Sequence, residues 1–372
     1  MRTLGDCVAG PNNFDFVRWL AASLVVFSHE FAVTGYPGAE PLGALTNGFA
    51  TFGTLGVDVF FVVSGFLVTQ SLIERRSLGF YVASRALRIV PGLAVLLLVS
   101  ALVIGAICTT RGLAEYYADP RVYSYIGRNL MLRNLQWDLP GVFTTNPFPH
   151  VVNGSLWSLA PEISMYALLL VIGIAGWRRW RHITAIVACS MIVVIVICWI
   201  RHGDLAGRTQ ELGRLTRLAP YFALGSLAWC MRRWIPIGAA WPIALAALTV
   251  LAFRTPAFVP LFALLVAASV LWIAFAPAGP LARWGRYGDF SYGVYIYAFP
   301  IQQMLAALAP GWSPWLHGVV TYPLIVVCAA ASWHWVESPA LHLKRRLRGL
   351  PLPREPEIVQ AAGVMEAPRP RG

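Results

Sequence analysis

Four ionisable side chains stand within a single apolar stretch of this sequence, Phe14–Glu30: Asp15, Arg18, His29 and Glu30. Such groups are costly in hydrocarbon and rare there, so each is a candidate for chemistry. Asp15 and Arg18 are three residues apart and therefore neighbours on a helix surface. Arg18 and His29 are eleven apart, close to three turns at 3.6 residues each. A rise of 1.5 Å per residue separates them by roughly 16 Å along the axis, one near each side of a core about 30 Å thick. An imidazole so placed can take a proton from a hydroxyl or accept an acyl group itself. A lone buried histidine can equally serve helix packing. The shared face with Arg18 and Asp15, and the adjacent Glu30, favour chemistry.

Three further stretches carry polar groups in apolar surroundings. Gly53–Leu67 holds Asp58 and Ser64 among Gly53, Gly56 and Gly65. The glycines read as a helix-packing face, and the small residues would also let a ligand chain come close. Arg85 and Arg88 stand three apart before Pro91. Guanidinium forks bind phosphate bidentately, although arginines at a helix end also anchor membrane topology. Gly154–Tyr166 places Glu162 after Pro161, deep in an apolar run and with no obvious lysine partner. By depth, His29, Asp58 and Glu162 form an outer pole suited to proton transfer, and the arginines form an inner pole suited to phosphate.

The elements that must hold these groups are membrane spans. The 372 residues are 58% apolar and only 12% charged, where a soluble domain has about 25% charged residues. Ten apolar spans are expected: 14–34, 51–73, 89–108, 153–176, 183–200, 215–231, 235–253, 256–276, 288–309 and 317–336. Most have the ~20 residues needed to cross. The sixth is weakest, because Arg214 and Arg217 crowd its start. The net charge of +12 would suggest nucleic acid in a soluble protein. Here the arginines fall in alternate loops and set topology, with both termini cytoplasmic. No nucleic-acid partner is expected. The expected fold is all-α and polytopic, with a membrane domain over 1–345 and a disordered cytoplasmic tail over 346–372. The loop 109–150 is long enough to be functional or locally folded. The six cysteines read as small buried apolar residues, with neither a disulfide framework nor a metal site.

Taken together, these motifs resemble the acyltransferase type 3 family of membrane O-acyltransferases over roughly residues 12–345. The resemblance is carried by Asp15-x-x-Arg18 with Arg18-x10-His29, by Gly56–Leu67, and by Arg85-x-x-Arg88-Ile89-x-Pro91. Leu156-Trp157-Ser158-Leu159-x-x-Glu162-x-x-x-Tyr166, Ser291–Tyr295 and Glu337-Ser338-Pro339 extend it. It implies transfer of an acyl group, usually acetyl from acetyl-CoA, to a carbohydrate hydroxyl at the outer face. His29 would be the catalytic histidine, with Glu162 as the motif acid and Asp58 beside it, one of the two orienting the ring. Arg18, Arg85 and Arg88 would serve the acyl donor, with Ser64 at the same donor site. Many relatives carry a second histidine just before the proline equivalent to Pro300, and here that residue is Phe299.

The expected partners are acyl-CoA as co-substrate, a carbohydrate acceptor and the bilayer of the bacterial inner membrane, with a homodimer left open and no metal. The acceptor would be a surface polysaccharide or a lipid-linked glycan. A small glycosylated metabolite of the macrolide type is the nearer alternative. A proton-coupled sugar transporter is the alternative from another class, since buried His and acids also serve as proton relays. Many transporters carry internal repeats, which this sequence lacks.

Overall fold

A computed structural model describes residues 2–75, 77–175, 182, 184–186, 188–189, 192–193, 210–277 and 279–347. The described chain is all-α. In chain order the longer α-helices, leaving aside the short turns Leu4–Cys7, Pro41–Leu45 and Gly105–Cys108, are α1 (Phe14–Val33), α2 (Phe52–Arg75), α3 (Leu78–Val99), α4 (Leu113–Ala118), α5 (Pro120–Leu130) and α6 (Leu159–Ala175). They continue with α7 (Gln210–Cys230), α8 (Ala240–Leu251), α9 (Phe258–Ala274), α10 (Ser291–Leu308), α11 (Pro314–Ser332) and α12 (Ser338–Leu347). Among the described residues five helical stretches are long and apolar enough to cross a membrane: Phe14–Val33, Phe52–Arg75, Leu78–Cys108, Gly154–Ile174 and Pro314–Leu343. Their outer faces keep large apolar side chains uncovered, among them Ile107, Ile174, Val319 and Trp335, as a surface turned to lipid does. The fifth expected span, 183–200, lies largely outside the described residues, as does the tail from residue 348.

Several boundaries differ from the sequence reading for a physical reason. The third span was expected to begin at residue 89, after the two arginines. The helix instead starts at Leu78, where the Ser77 side chain accepts a hydrogen bond from the Phe80 amide, and runs on to Cys108 through a π-helical turn at Ser100–Ile104. Arg85 and Arg88 are therefore carried up inside the bundle rather than at its mouth. In the sixth span α7 begins earlier, at Gln210, and its Arg217 is neutralised by Asp58 on α2. The seventh span is short, 12 residues in α8, or about 18 Å at 1.5 Å per residue.

Helix α2 runs between α1 and α7, and its glycines set both approaches. A side chain at Gly56 would collide with the carbonyl of Ala21, and one at Gly65 with the backbone of Phe222. Helix α10 lies on the other side of α1, with α11 packed on it. Arg18 meets Asp289 just before α10 begins, and further up Val26 accepts from Gln302. So α1 and α10 run parallel, the sense that the first and ninth spans of the expected topology have. The loop 109–150 is locally folded. Asp119 caps α5 at Pro120, and Asn129 of α5 pairs with the backbone of Gln136 in both directions at 2.9 Å.

Of the cysteines, Cys7 and Cys230 are buried as expected, but Cys189 and Cys328 are exposed. In a lipid-facing position a small polarisable side chain needs no protein cover. Among the described residues no group of three or more His, Cys, Asp and Glu is placed to hold a metal ion.

Candidate active site

One cavity of about 100 Å³ lies between α1, α2, α3, α6 and α10. Its polar wall carries Arg18, Ser64, Arg85, Arg88 and Glu162. Val57, Phe60, Phe61 and Leu67, all from α2, supply its apolar wall. The sequence pattern thus brings five of its candidate residues to one chamber. Glu162 is among them, although it was expected beside His29.

Within the cavity most charges are already matched. Arg18 pairs with Asp15 and reaches Asp289 at 3.0 Å. Arg88 reaches the same Asp289 oxygen at 2.6 Å and Glu337 at 3.7 Å. The Arg88 guanidinium also stands 5.7 Å from the rings of both Tyr292 and Trp333. Glu337 is 1% exposed and ends a π-helical turn, Trp333–Glu337, between α11 and α12; its Oε1 accepts from Ser332 at 3.0 Å. Arg85 differs. Among the described residues it meets no carboxylate, only the Ser84 hydroxyl at 3.4 Å and the face of Tyr166 at 5.8 Å. The pair therefore is not a free fork: Arg88 is taken up by two acids, and Arg85 meets none among the described residues. Glu162 accepts from the Ser64 hydroxyl at 3.0 Å and from the Tyr166 hydroxyl.

The cavity lining ends at Ser158 and Tyr295, whose hydroxyls are bonded at 2.6 Å, and does not include His29. One turn further along α10, Phe299 meets the His29 ring edge to face at 5.1 Å. The ring's Nδ1 is buried with no hydrogen-bond partner. Neither Asp58 nor Glu162 orients it. Asp58 is committed to Arg217 at 3.0 and 3.2 Å, and Glu162 to Ser64 and Tyr166. Glu30 does not join it either, because consecutive helix residues face different ways. It turns into the α10–α11 contact and binds Gln302 at 2.6 Å, Thr321 at 2.7 Å, and the Nδ1 of His317.

Sequence reasoning missed Asp289, Gln302 and His317, and gave Glu337 no role. The signal for His317 was present: it is an ionisable group in a span, the criterion that found His29. Asp289 sits at a span boundary, where an acid is unremarkable until its neighbours are known.

Residues 12–334 match the family model described as "Acyltransferase domain". The chain is 29% identical over 367 residues to Nodulation protein 10 of Rhizobium leguminosarum bv. viciae, covering 90% of this chain and 95% of that protein. It is 28% identical over 335 residues to an O-acetyl transferase of Shigella phage Sf6, covering 88% of this chain and 95% of that one. No solved structure matches the chain. With a family match across most of its length and several membrane-crossing helices, the chain belongs to the acyltransferase type 3 family and is a multi-pass membrane acyltransferase.

Proposed function

We propose that this enzyme moves an acyl group, acetyl in the first instance, from acyl-CoA on the cytoplasmic side to a sugar hydroxyl of a surface polysaccharide or lipid-linked glycan. The observation that carries the reading is the α1–α10 seam. Arg18 stands on the wall of an amphipathic cavity at one end, and His29 stands beyond the cavity's closed end at the other. An acyl-CoA needs an anchor for its anionic end and an apolar sleeve for its arm. Arg85 lines the cavity with no carboxylate partner among the described residues, and Phe60, Phe61 and Leu67 line the sleeve. The printed name of the phage relative, O-acetyl transferase, supports oxygen as the acceptor atom.

In the proposed reaction the His29 ring takes the proton from the acceptor hydroxyl. The hydroxyl oxygen forms the new ester bond to the acyl carbon, the carbon–sulfur bond of the thioester breaks, and CoA leaves as a thiolate that takes up a proton. The acyl end reaches His29 when the Ser158–Tyr295 contact parts. Arg18 and Ser64 flank the donor's path, Glu162 holds Ser64 and Tyr166 on the cavity wall, and Asp58 with Arg217 fastens α2 to α7. Ten spans with both termini in the cytoplasm, in the bacterial inner membrane, put the arginines inside and His29 toward the exterior.

The test is acylation by purified protein in proteoliposomes with radiolabelled acetyl-CoA and a glycan acceptor. Transfer that needs acetyl-CoA and disappears in His29→Ala is expected. Full transfer in His29→Ala would overturn the mechanism. Mass spectrometry of surface glycans and secreted metabolites from a deletion strain then assigns the acceptor by the lost acetyl increment; a loss confined to secreted small molecules would overturn the glycan assignment.

A further inference from the structure

The group that orients the catalytic imidazole is not where the motif acids lie, and the structure offers a different one. Three buried polar atoms near the outer end of α1 have no hydrogen-bond partner among the described residues: Nδ1 of His29, Oε1 of Gln302 and Nε2 of His317. Gln302 and His317 are fully buried. Leaving such atoms unpaired costs about 1–3 kcal/mol each, so an arrangement that retains them points to a working contact.

Gln302 is held from one side only. Its Nε2 donates to Glu30 Oε1 at 2.6 Å and to the Val26 carbonyl at 2.9 Å. Glu30 is in turn fixed by the Thr321 hydroxyl at 2.7 Å and by His317. This clamp uses the amide nitrogen of Gln302 and leaves its oxygen free. Gln302 stands one turn after Phe299, whose ring meets His29, and its Nε2 reaches Val26, one turn before His29, so the unsatisfied Oε1 and the unsatisfied Nδ1 lie in the same α1–α10 contact. The ring as a whole is only half-buried, and its other nitrogen, Nε2, makes no hydrogen bond among the described residues.

We infer that Gln302 is the positioning residue for His29: its Oε1 accepts a hydrogen bond from Nδ1–H, which fixes the ring in the tautomer whose Nε2 is the free base facing the acceptor. Glu30, Thr321 and His317 set the direction of that amide and form the anchor behind it. The arrangement repeats the logic of a carboxylate behind a catalytic histidine, with a neutral amide in direct contact and the carboxylate one residue further back. The inference rests on the reading of His29 as the base.

The experiment uses the full-length enzyme in proteoliposomes, with folding followed by thermal melting. His29→Ala is the control for the underlying reading: activity there defeats that reading whatever Gln302 does. With that control inactive, Gln302→Leu is expected to lower kcat about 10- to 100-fold, the scale of a misplaced reacting group, while KM for acetyl-CoA is unchanged. The exchange Glu30→Gln with Gln302→Glu restores an acceptor oxygen opposite Nδ1 and is expected to recover kcat to within about tenfold of the parent. A folded Gln302→Leu with kcat within twofold of the parent, or equal losses in kcat and stability that the exchange does not repair, would overturn the inference. If Gln302→Leu fails to fold, ¹⁵N-histidine NMR of the parent enzyme decides, with His29→Gln assigning the signal. A proton on Nδ1 of the uncharged ring is expected, and a proton on Nε2 would overturn it.

Discussion

At the Arg18 end of the α1–α10 seam, Arg18, Arg88, Asp289 and Glu337 each meet an opposite charge, although Arg18 Nε and Glu337 Oε2 keep no hydrogen bond, whereas at the His29 end the ring is paired with no carboxylate among the described residues. Asp289 serves two arginines, and Arg88 serves two acids. His29 meets the edge of a phenylalanine. The difference separates two kinds of polar group that look alike in an apolar sequence. Charges that satisfy one another hold helices together, because removing one leaves its partner stranded in low dielectric. A group outside such a pair strands no partner when it is removed. By this criterion Arg85 resembles His29 more than it resembles Arg88, three residues away.

Substitutions can break the comparison. The largest effect is expected at the unsatisfied end. His29→Ala should lower kcat/KM by about 10³-fold, within the range for losing a general base, with the melting temperature unchanged. A parallel fall in melting temperature would make His29 a packing residue. At the matched end the order reverses. Arg88→Met should cost about 3–5 kcal/mol of stability, because Asp289 and Glu337 lose their shared partner. Chemical denaturation in detergent reads this, and a variant as stable as the parent would show that the network is not structural. Arg85→Ala falls between the two. It should raise KM for acetyl-CoA about tenfold, the worth of one charged hydrogen bond, and leave stability intact. Unchanged donor affinity would remove Arg85 from the donor site.

The smallest effect lies outside the membrane and sharpens the same contrast. The Arg121 side chain beside Asp119, and its backbone amide, hold the Asp119 carboxyl below its ordinary value, at about 2. A folded value below the unfolded one means the contribution is present above the unfolded value, 3.8, and is lost as pH falls toward 2. Asp119→Asn should therefore be slightly less stable than the parent at neutral pH, with the gap closing only between about pH 4 and pH 2. A gap that persists at pH 2 would show that the cap acts by shape rather than charge.

Much of this arrangement was legible in the sequence, and the rest was hidden for one reason. Apolar runs disclosed the helices, and the eleven-residue interval between Arg18 and His29 disclosed that both face one neighbour. The identity of that neighbour was not legible. Asp289 belongs with Arg18 and Arg88 only because α10 lies against α1 and α3, and Glu337 joins them only because a π-helical turn aims it there. Depth misled for Glu162: once α3 begins at Leu78, its arginines rise to the level of that acid. Likewise Asp58 looked like a second acid for the imidazole until Arg217, noted only as an obstacle to a span, proved to be its partner.

Glu30 has one further consequence. Its side-chain partners Gln302, His317 and Thr321 lie 272, 287 and 291 residues further along the chain. At about 5–20 residues per second, the ribosome supplies them on the order of 10–60 s after it makes the first helix. The acid of α1 thus waits for a clasp made from helices synthesised much later. Damage at α10 or α11 would thus be felt in α1, the helix that bears His29.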